Sequence, residues 1–390
     1  MDRDPAKNVA WDKDWPAAIK SIAANGLSDE EIAALAEEYA RSGVRFDFGT
    51  MPTADVASTG GPSSLSTLLT PLFLVQAGFF VPKLGVPGRP AGGVDALAQI
   101  PDYKICYEPH EIRQVVEACG YAHFISAGTF APLDASTFGV RQALGAQAVP
   151  ELVIASLLSK KLAVGINAVG LDVRIAPHGN FGQDFAAGKA NAKRFVRVAQ
   201  LLGIRALCIL TDGTLPFQPF IGRGEALWAI EKILSGRADP WLAAHTAQCS
   251  NMVKQLANAA LPTVLPVEQF RANVEAQRGD YAGFLEKVES VRSGHTYIFE
   301  SESNGYVEYD LEAIRSMITH SNSGHESLSR FPDFVGVRLA VPPGQFVERG
   351  TVVMTARIDT ETKEKIFQKL CQSVTMTSSP AMIIGDEIVE

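Results

Sequence analysis

Hydrophobic residues recur at helical spacing near the start of the chain, between residues 26 and 43. Ser28, followed three residues later by Glu31, forms a capping-box pattern, and Gly43 ends the segment, so this stretch predicts a short helix. Helical patterns at 187–202 and 223–236 alternate with apolar runs of strand character, which are "TADVAS", "FVPKLG", "AHFISAG", "AVGLDVRI" and "IRALCIL". This alternation predicts an α/β domain with a mostly parallel sheet.

A long segment without strand character interrupts the alternation between residues 136 and 168. Its pattern predicts two helices that hinge near Pro150. With the N-terminal helix they are expected to form a small helical domain that faces the larger α/β domain across a cleft. Short strands and turns near the end predict a C-terminal α+β region. The predicted divisions are 1–47 with 132–165 (helical), 48–131 with 166–289 (α/β) and 290–390 (α+β).

Composition limits the size of the core and the class of partner. The chain has 390 residues, of which 46% are hydrophobic, so it can bury the cores of two or three subdomains. A formal net charge of −8 argues against nucleic acid or an anionic membrane as the main partner. The five cysteines are widely spaced and include no C-x-x-C pair. We therefore expect buried thiols, no metal and no cofactor.

Two stretches bear on the cellular compartment. Residues 1–16 lack an apolar run of the kind found in secretory signals. The most apolar stretch, residues 68–82, is too short to span a bilayer and contains Pro71 and Gln76, so it predicts a buried helix that runs into a strand. The sequence therefore predicts a cytoplasmic protein.

A glycine-rich loop lies between residues 55 and 67, "DVASTGGPSSLST". Gly60 and Gly61 precede a proline and several hydroxyl side chains at a predicted helix start, so backbone N–H groups would point toward an anion there. Phosphate sites usually add a lysine or an arginine, and this segment contains neither. The same pattern also fits an ordinary connection between strand and helix, and it matches neither the dinucleotide fingerprint nor the Walker A pattern.

Three side chains of the helical segment could bind a ligand that is rich in carbonyl oxygens. Ser156 and Lys160 are four residues apart and share a helix face, and Arg141 lies on the preceding predicted helix. These groups are mainly hydrogen-bond donors, which suits a pyrimidine ring, although a solvated helix face has the same spacing. Further candidates lie on loops after predicted strands and could equally be solvated: Lys83, Arg89 and His178.

Several long motifs follow one another along the chain: "ASTGGPSSLSTLLTPLFLVQAGFFVPKLG", "GRPAGGVDALAQIP", "FGVRQALGAQAVPELVIASLLSKKLAVGINAVGLDVRI" and "ALCILTDGTLPFQPFIGRGEAL". In order and spacing they resemble the thymidine and pyrimidine-nucleoside phosphorylases over most of the chain. The later stretches "GYVEYDLEAI" and "VGVRLAVPPGQFVERGTVVMTARID" are similar to the C-terminal region of that family. The resemblance implies a small helical domain facing a larger α/β domain, with nucleoside and phosphate meeting in the cleft between them.

The resemblance also implies roles for the candidate residues. Arg141, Ser156 and Lys160 would hold the pyrimidine carbonyls and N3, and Phe138 would take the place of a tyrosine that lies against the base. Phosphate would attack C1′ of the sugar while the arginine and the lysine stabilise the negative charge on the departing base. The residues implied for the phosphate and sugar are Ser58, Thr59, Gly60 and Ser66.

The chain departs from the family pattern around the phosphate. The family loop has a lysine and a histidine where this chain has Val56 and Ala57, and a later threonine corresponds to Gly93. We therefore expect weaker phosphate binding than in a typical phosphorylase, unless Arg89 or Lys83 replaces the missing cation. The family's first two helices, which help to form its dimer, have no counterpart, so a homodimer stays open but is not expected through that surface.

Three functions stay open at this point. The chain could be a divergent phosphorylase, an enzyme that cleaves or remakes a pyrimidine N-glycosidic bond with water or another acceptor, or a pyrimidine-binding protein without catalysis. Pentosyl transfer from a pyrimidine nucleoside is favoured because the residues implied for stabilising the leaving base are retained. The sequence identifies neither the sugar nor the nucleophile.

Overall fold

The computed structural model describes residues 14–88, 92–126, 128–177, 179–262, 264–322, 331–380 and 385–390. Its helices are α1 (Trp15–Asn25), α2 (Asp29–Arg41), α3 (Ser66–Gln76), α4 (Gly93–Leu97), α5 (Pro109–Cys119), α6 (Pro132–Ala143), α7 (Pro150–Ala163), α8 (Phe185–Leu201), α9 (Arg223–Leu234), α10 (Pro240–Ala257), α11 (Val267–Ala276), α12 (Tyr281–Ser293), α13 (Leu311–Asn322) and α14 (Lys363–Cys371). Its strands are β1 (Ala54–Ser58), β2 (Val81–Gly85), β3 (Tyr121–Ile125), β4 (Ala168–Ile175), β5 (Arg205–Asp212), β6 (Phe220–Ile221), β7 (Thr296–Glu300), β8 (Gly305–Tyr309), β9 (Val335–Leu339), β10 (Phe346–Val347), β11 (Val352–Ile358), β12 (Val374–Thr377) and β13 (Glu387–Val389).

The main sheet of the described residues has the strand order β1-β4-β5-β13. β1, β4 and β5 run parallel, in a register that pairs Ser58 with Asp172 and Asp172 with Ile209, and β13 adds an antiparallel edge strand. Parallel strands place their carboxyl ends at one edge of a sheet, so the loop after β1 lies beside the end of β4. The predicted α/β class and the mostly parallel sheet are confirmed.

β2 and β3 form a parallel pair of their own instead of joining the main sheet. An isolated bridge between Thr53 and Phe80 links the start of β2 to β1. Beyond it the two strands interact through side chains, because Lys83 on β2 forms an ion pair with Asp55 on β1. The sequence predicted both strands, but a local pattern does not specify that they pair apart from the main sheet.

The predicted helices begin where local signals place them. Ser28 and Glu31 form the reciprocal hydrogen bonds of a capping box at the start of α2, which confirms that prediction. The segment that interrupts the α/β alternation forms α6 and α7, which confirms the pair of helices with a break before Pro150. α1 precedes them and was not predicted; Asp14 caps it by accepting a hydrogen bond from Ala17 N.

The helical segments share an apolar core with one face of the main sheet. Ile32 of α2 and Leu158 of α7 belong to one buried cluster with Leu171 of β4 and Phe195 of α8. A second cluster is centred on α3, α9 and α10, and a third fills the C-terminal region. α2, α6 and α7 therefore pack together against the sheet, while the exact domain boundaries stay a prediction.

The C-terminal region contains two small sheets, β6-β9-β11-β7 and β10-β8-β12, together with α13 and α14. This composition agrees with the predicted α+β character. Strand pairing crosses the predicted boundary near residue 290 in both directions, because β6 pairs with β9 and β13 pairs with β5. Within the described ranges every helix is too short or too polar to cross a bilayer.

Candidate active site

Ser156 and Lys160 lie together on the half-buried face of α7. Lys160 Nζ donates hydrogen bonds to Ser156 Oγ and to Ser156 O, each at 3.0 Å. The same ammonium forms an ion pair with Asp134 on α6. The i, i+4 spacing therefore places a lysine and a serine at one point, and a second helix fixes the lysine there.

Asp134 was missed by the sequence analysis. It lies in the first turn of α6, where an acidic residue after a proline is a common helix-start signal, and that position gave no hint of chemistry. The residue is 2% exposed, and its Oδ1 has no hydrogen-bond partner among the described residues. A buried carboxylate oxygen without a donor is costly, so a ligand N–H group at this place would be stabilised.

Arg141 is buried and bonded mainly to the backbone between α6 and α7. Its Nη1 donates to Leu152 O at 3.3 Å and its Nη2 to Gln147 O at 3.1 Å, while its buried Nε has no partner in the described part of the chain. Burial lowers the pKa of this guanidinium, and the Asp134 carboxylate partly offsets the effect. Arg141 therefore faces the same carboxylate as Lys160, with one donor still unused.

Phe138 supplies an aromatic surface beside these groups. Its ring is 40% exposed, and the Arg141 Cζ lies 5.5 Å from the ring centroid. Tyr39 of α2 lies on the buried side, where burial raises the pKa of its hydroxyl to about 12. An exposed aromatic ring next to unused polar atoms is the arrangement that a planar heterocycle can cover.

A buried triad of charges joins α7 to the sheet. Asp55 on β1 forms ion pairs with Lys83 on β2, at 2.5 Å, and with Lys161 on α7. Burial alone would raise the pKa of the Asp55 carboxyl, but the two ammonium groups overcome it and hold the pKa below its usual range. Burial lowers the pKa of Lys83 despite its acidic partner. The buried carboxylate and the two buried ammonium groups thus compensate one another for the loss of solvation.

The same triad determines whether the Lys83 ammonium is available to a ligand. Its ammonium already donates to Asp55 Oδ1 and, at 2.8 Å, to Val56 O. The side chain is 4% exposed, so it does not extend into the glycine loop as a free cation. Arg89, the other candidate replacement, and His178 lie outside the described residues.

The triad also relates the two halves of the candidate site. Lys161 is adjacent to Lys160, and Asp55 precedes Ser58 by three residues in β1, which is about 10 Å along a strand. The lysine and serine of α7 therefore lie near the strand that leads into the glycine loop.

The loop after β1 is a tight polar turn. Gly60 N and Ser58 Oγ are 3.3 Å apart, and Thr59 N donates to Asp172 O at 3.0 Å. Ser58, Thr59 and Gly60 are half-buried, whereas Val56 faces the core and is 1% exposed. The position that holds a lysine in the resembling family is thus part of the apolar core here.

Two further positions of the expected phosphate region are packed against other parts of the fold. Ser66 is fully buried, and its hydroxyl donates to Asp172 Oδ2 at 2.9 Å. A Cβ built on Gly93 would lie 2.4 Å from His123 Cε1, so the ring of His123 occupies the space that a side chain at residue 93 would need. The absence of the threonine is therefore accommodated by packing at this position.

Arg174 and Asp172 are charged residues inside β4 that the sequence analysis did not select. They form an ion pair, and both lie at the carboxyl end of the strand beside the glycine loop. Burial raises the pKa of the Asp172 carboxyl, and Arg174 opposes that effect. Two charges in the apolar run "AVGLDVRI", at the end of a parallel strand, are a signal that could have identified them.

Among the described residues, no group of three or more histidine, cysteine, aspartate or glutamate side chains is arranged to hold a metal ion. None of the five cysteines, all of which lie in the described ranges, is part of a disulfide. Burial lowers the pKa of His245, which lies near Arg174, to about 3, so that its ring is neutral at physiological pH.

Curated relatives match the chain over most of its length. A pyrimidine-nucleoside phosphorylase from Geobacillus stearothermophilus is 24% identical over 394 residues, which cover 95% of this chain and 91% of that protein. A thymidine phosphorylase from Sinorhizobium fredii is 28% identical over 84% of this chain and 79% of its own length. The thymidine phosphorylase of Mycobacterium tuberculosis is 26% identical, over 88% and 82% respectively. The chain is therefore similar to these phosphorylases over most of its length.

Two other comparisons add little to this relation. No family model matches the chain. A solved anthranilate phosphoribosyltransferase from Thermus thermophilus aligns with a TM-score of 0.48 and 18% identity, over 72% of this chain and 95% of that one. The sequence relatives, not the structural neighbour, therefore confirm the resemblance that the motifs indicate.

Proposed function

We propose that this protein transfers the pentosyl group of a pyrimidine nucleoside to a small acceptor, as its phosphorylase relatives do by name. The observation that carries the proposal is the half-exposed Lys160, which is bonded to Ser156 and Asp134 beside the exposed ring of Phe138. The Lys161 contact with Asp55 connects this group to the strand that leads into the glycine loop. Base-binding groups and a polar loop are then within reach of one nucleoside.

Each residue has a role that follows from its chemistry. Lys160 and Ser156 donate to the ring carbonyls of the base, and the Asp134 Oδ1, which has no other partner among the described residues, accepts from the ring N–H group. Arg141 uses its remaining N–H group and its charge near the same place. When the N-glycosidic bond breaks, negative charge develops on the pyrimidine, and the Lys160 ammonium stabilises it.

Phosphate is the acceptor that the names of the relatives favour. Val56 and Ala57 supply no charge, and this observation favours a second candidate, in which water or another acceptor attacks C1′. The two candidates share the base site and differ only at the loop. Arg89 would contribute to the phosphate in the first candidate.

Product analysis tests the proposal. The purified protein is incubated with uridine, thymidine or cytidine, with and without phosphate, and with adenosine as the control. Chromatography measures the free base, and ³¹P NMR measures pentose 1-phosphate. Pentosyl transfer predicts free pyrimidine together with pentose 1-phosphate, and no base from adenosine. Free pentose without any phosphate requirement would select the second candidate, and saturable nucleoside binding without bond cleavage would contradict both.

A further inference from the structure

Arg174 is a buried cation that the roles assigned above do not use. Its side chain is 4% exposed and lies at the carboxyl end of β4, next to the loop that follows β1. The backbone N–H of Arg174 donates to Thr59 Oγ1 at 2.8 Å. A Cβ built on Gly61 would meet Arg174 Cγ at 3.9 Å. The stem of this arginine therefore lies directly against the glycine loop.

Part of the Arg174 guanidinium has no acceptor. Its Nη2 donates to Ser64 Oγ at 2.7 Å and pairs with Asp172, and the ring of Phe217 covers one face, with its centroid 3.6 Å from Cζ. Nε and Nη1 are buried and have no hydrogen-bond partner among the described residues. These two nitrogens carry three N–H hydrogens, which are left for a ligand to accept. Buried donors without an acceptor are costly, so such a ligand would be stabilised.

The adjoining loop has space and further donors. Gly60 has a φ of +127° and Gly61 a φ of +111°, values that favour glycine, and a Cβ built on Gly60 would meet nothing within 4 Å. Because Thr59 Oγ1 accepts from Arg174, its own hydrogen can be donated to a ligand. The half-buried hydroxyl of Ser58 lies in the same turn. The loop hydroxyls and backbone thus lie beside an open space at Gly60, next to the stem of Arg174.

We propose that Arg174 binds a phosphate oxoanion at the glycine loop and replaces the cation that Val56 and Ala57 do not supply. A guanidinium with several unused N–H groups matches the several oxygens of such an anion. Asp172 does not take up these donors, because it bonds Nη2 alone and also accepts from Ser66. Its contact fixes the guanidinium in place. Because the Arg174 side chain is only 4% exposed, binding of an anion to its donors requires the adjoining loop to move, and the positive φ values of Gly60 and Gly61 place glycines at that point.

This inference rests on the proposed function only for the identity of the anion as the second substrate. Inorganic phosphate and the phosphoryl group of a nucleotide present the same oxygens, so both are tested. It also revises the expectation of weak phosphate binding, because neither Lys83 nor a residue of the loop itself has to provide the charge.

Phosphate binding is measured by isothermal titration without any nucleoside, so the result does not depend on catalysis. The native protein is titrated with inorganic phosphate and, separately, with uridine 5′-monophosphate. The test variant combines Arg174→Gln with Asp172→Asn, which removes both partners of the buried ion pair and leaves no unpaired charge. Arg174→Lys keeps the charge and loses the planar fork of donors. Arg357→Lys is the matched control, because Arg357 is a half-buried arginine of the C-terminal region that pairs with Glu225 and Asp333.

The native protein and the Arg357→Lys control should bind at least one of the two anions saturably. The double variant, with its fold checked by circular dichroism, should bind that anion at least about tenfold more weakly, and Arg174→Lys should fall between them. Preference for inorganic phosphate supports an acceptor site, and preference for the nucleotide supports a site for the phosphoryl group of a substrate. A folded double variant that binds like the native protein, or a native protein that binds neither anion, would overturn the inference. Phosphate binding without nucleoside cleavage would contradict the proposed function alone.

Discussion

In the proposed reaction, Lys160 is the residue on which departure of the base depends most. Lys160→Ala removes a charged donor that faces the base, so we expect a loss of about 2 kcal/mol of transition-state stabilisation, or about 30-fold in kcat/KM for base release. Steady-state kinetics with uridine or thymidine measure it. Lys193→Ala, at an exposed position of α8, is the control and should leave kcat/KM unchanged. Equal rates in native and Lys160→Ala proteins would exclude this role.

Asp134 should act with Lys160 as a unit. Asp134→Asn weakens the charge-assisted bond that holds the ammonium beside Ser156, so we expect kcat/KM to fall about five- to tenfold. In the Lys160→Ala background the same substitution should add much less, because the bond is already lost. A double-mutant cycle measures this coupling. Fully additive effects would show that Asp134 does not position the lysine.

At the residue scale, sequence patterns predicted contacts within a helix but not contacts between separate elements. Ser156 and Lys160 could be paired from their spacing, because a helix fixes which residues share a face. Asp134 lies 26 residues before Lys160 on another helix, so their contact depends on how α6 packs against α7. The open donors of Arg174 depend in the same way on Ser64 and Phe217, which come from distant parts of the chain.

At the scale of elements, the Asp55 triad connects α7, β1 and β2. Asp55→Asn would leave Lys83 and Lys161 buried without a carboxylate, so we expect a loss of about 3–5 kcal/mol in the free energy of unfolding at pH 7. Urea unfolding measures it. Glu117→Gln, which breaks an exposed pair with Arg113, should cost less than about 1 kcal/mol. A similar small loss for both variants would contradict a structural role for the triad.

The stability that the Asp55 carboxylate contributes should change with pH in one direction. Folding holds the pKa of Asp55 below its unfolded value of about 3.9, so the ionised carboxylate stabilises the fold above that pH. The contribution is lost as the pH falls through the lower, folded-state pKa. The stability difference between the native protein and Asp55→Asn should therefore be largest near neutral pH and shrink below about pH 4. Urea titrations at several pH values test this, and a difference that grows on acidification would contradict it.

The elements themselves were the part of the fold most accessible from sequence. β1 to β5 follow apolar runs with clear ends, and the capping box of Ser28 and Glu31 marks α2. The separation of β2 and β3 from the main sheet was not predictable, because a local pattern does not specify which strand pairs with which. For the same reason β13 joins the main sheet from the far end of the sequence.

At the scale of the whole molecule, assembly is the feature most open to test. We expect a monomer, or a dimer through a surface other than the one expected from the resembling family. Sedimentation velocity measures the state, and Lys20→Glu places a reversed charge on the exposed side of α1. The substitution should leave the sedimentation coefficient unchanged. A native dimer that dissociates on Lys20→Glu would show that the helical surface is the interface after all.

Pentosyl transfer itself is tested most directly by base exchange. The protein is incubated with unlabelled uridine, phosphate and ¹³C-labelled uracil, and NMR follows the label into uridine, with Lys160→Ala measured in parallel. Reversible transfer of the pentosyl group predicts labelled uridine in the native protein and about 30-fold slower exchange in the variant. Hydrolysis to free ribose without labelled uridine, or no exchange despite saturable uridine binding, would contradict it.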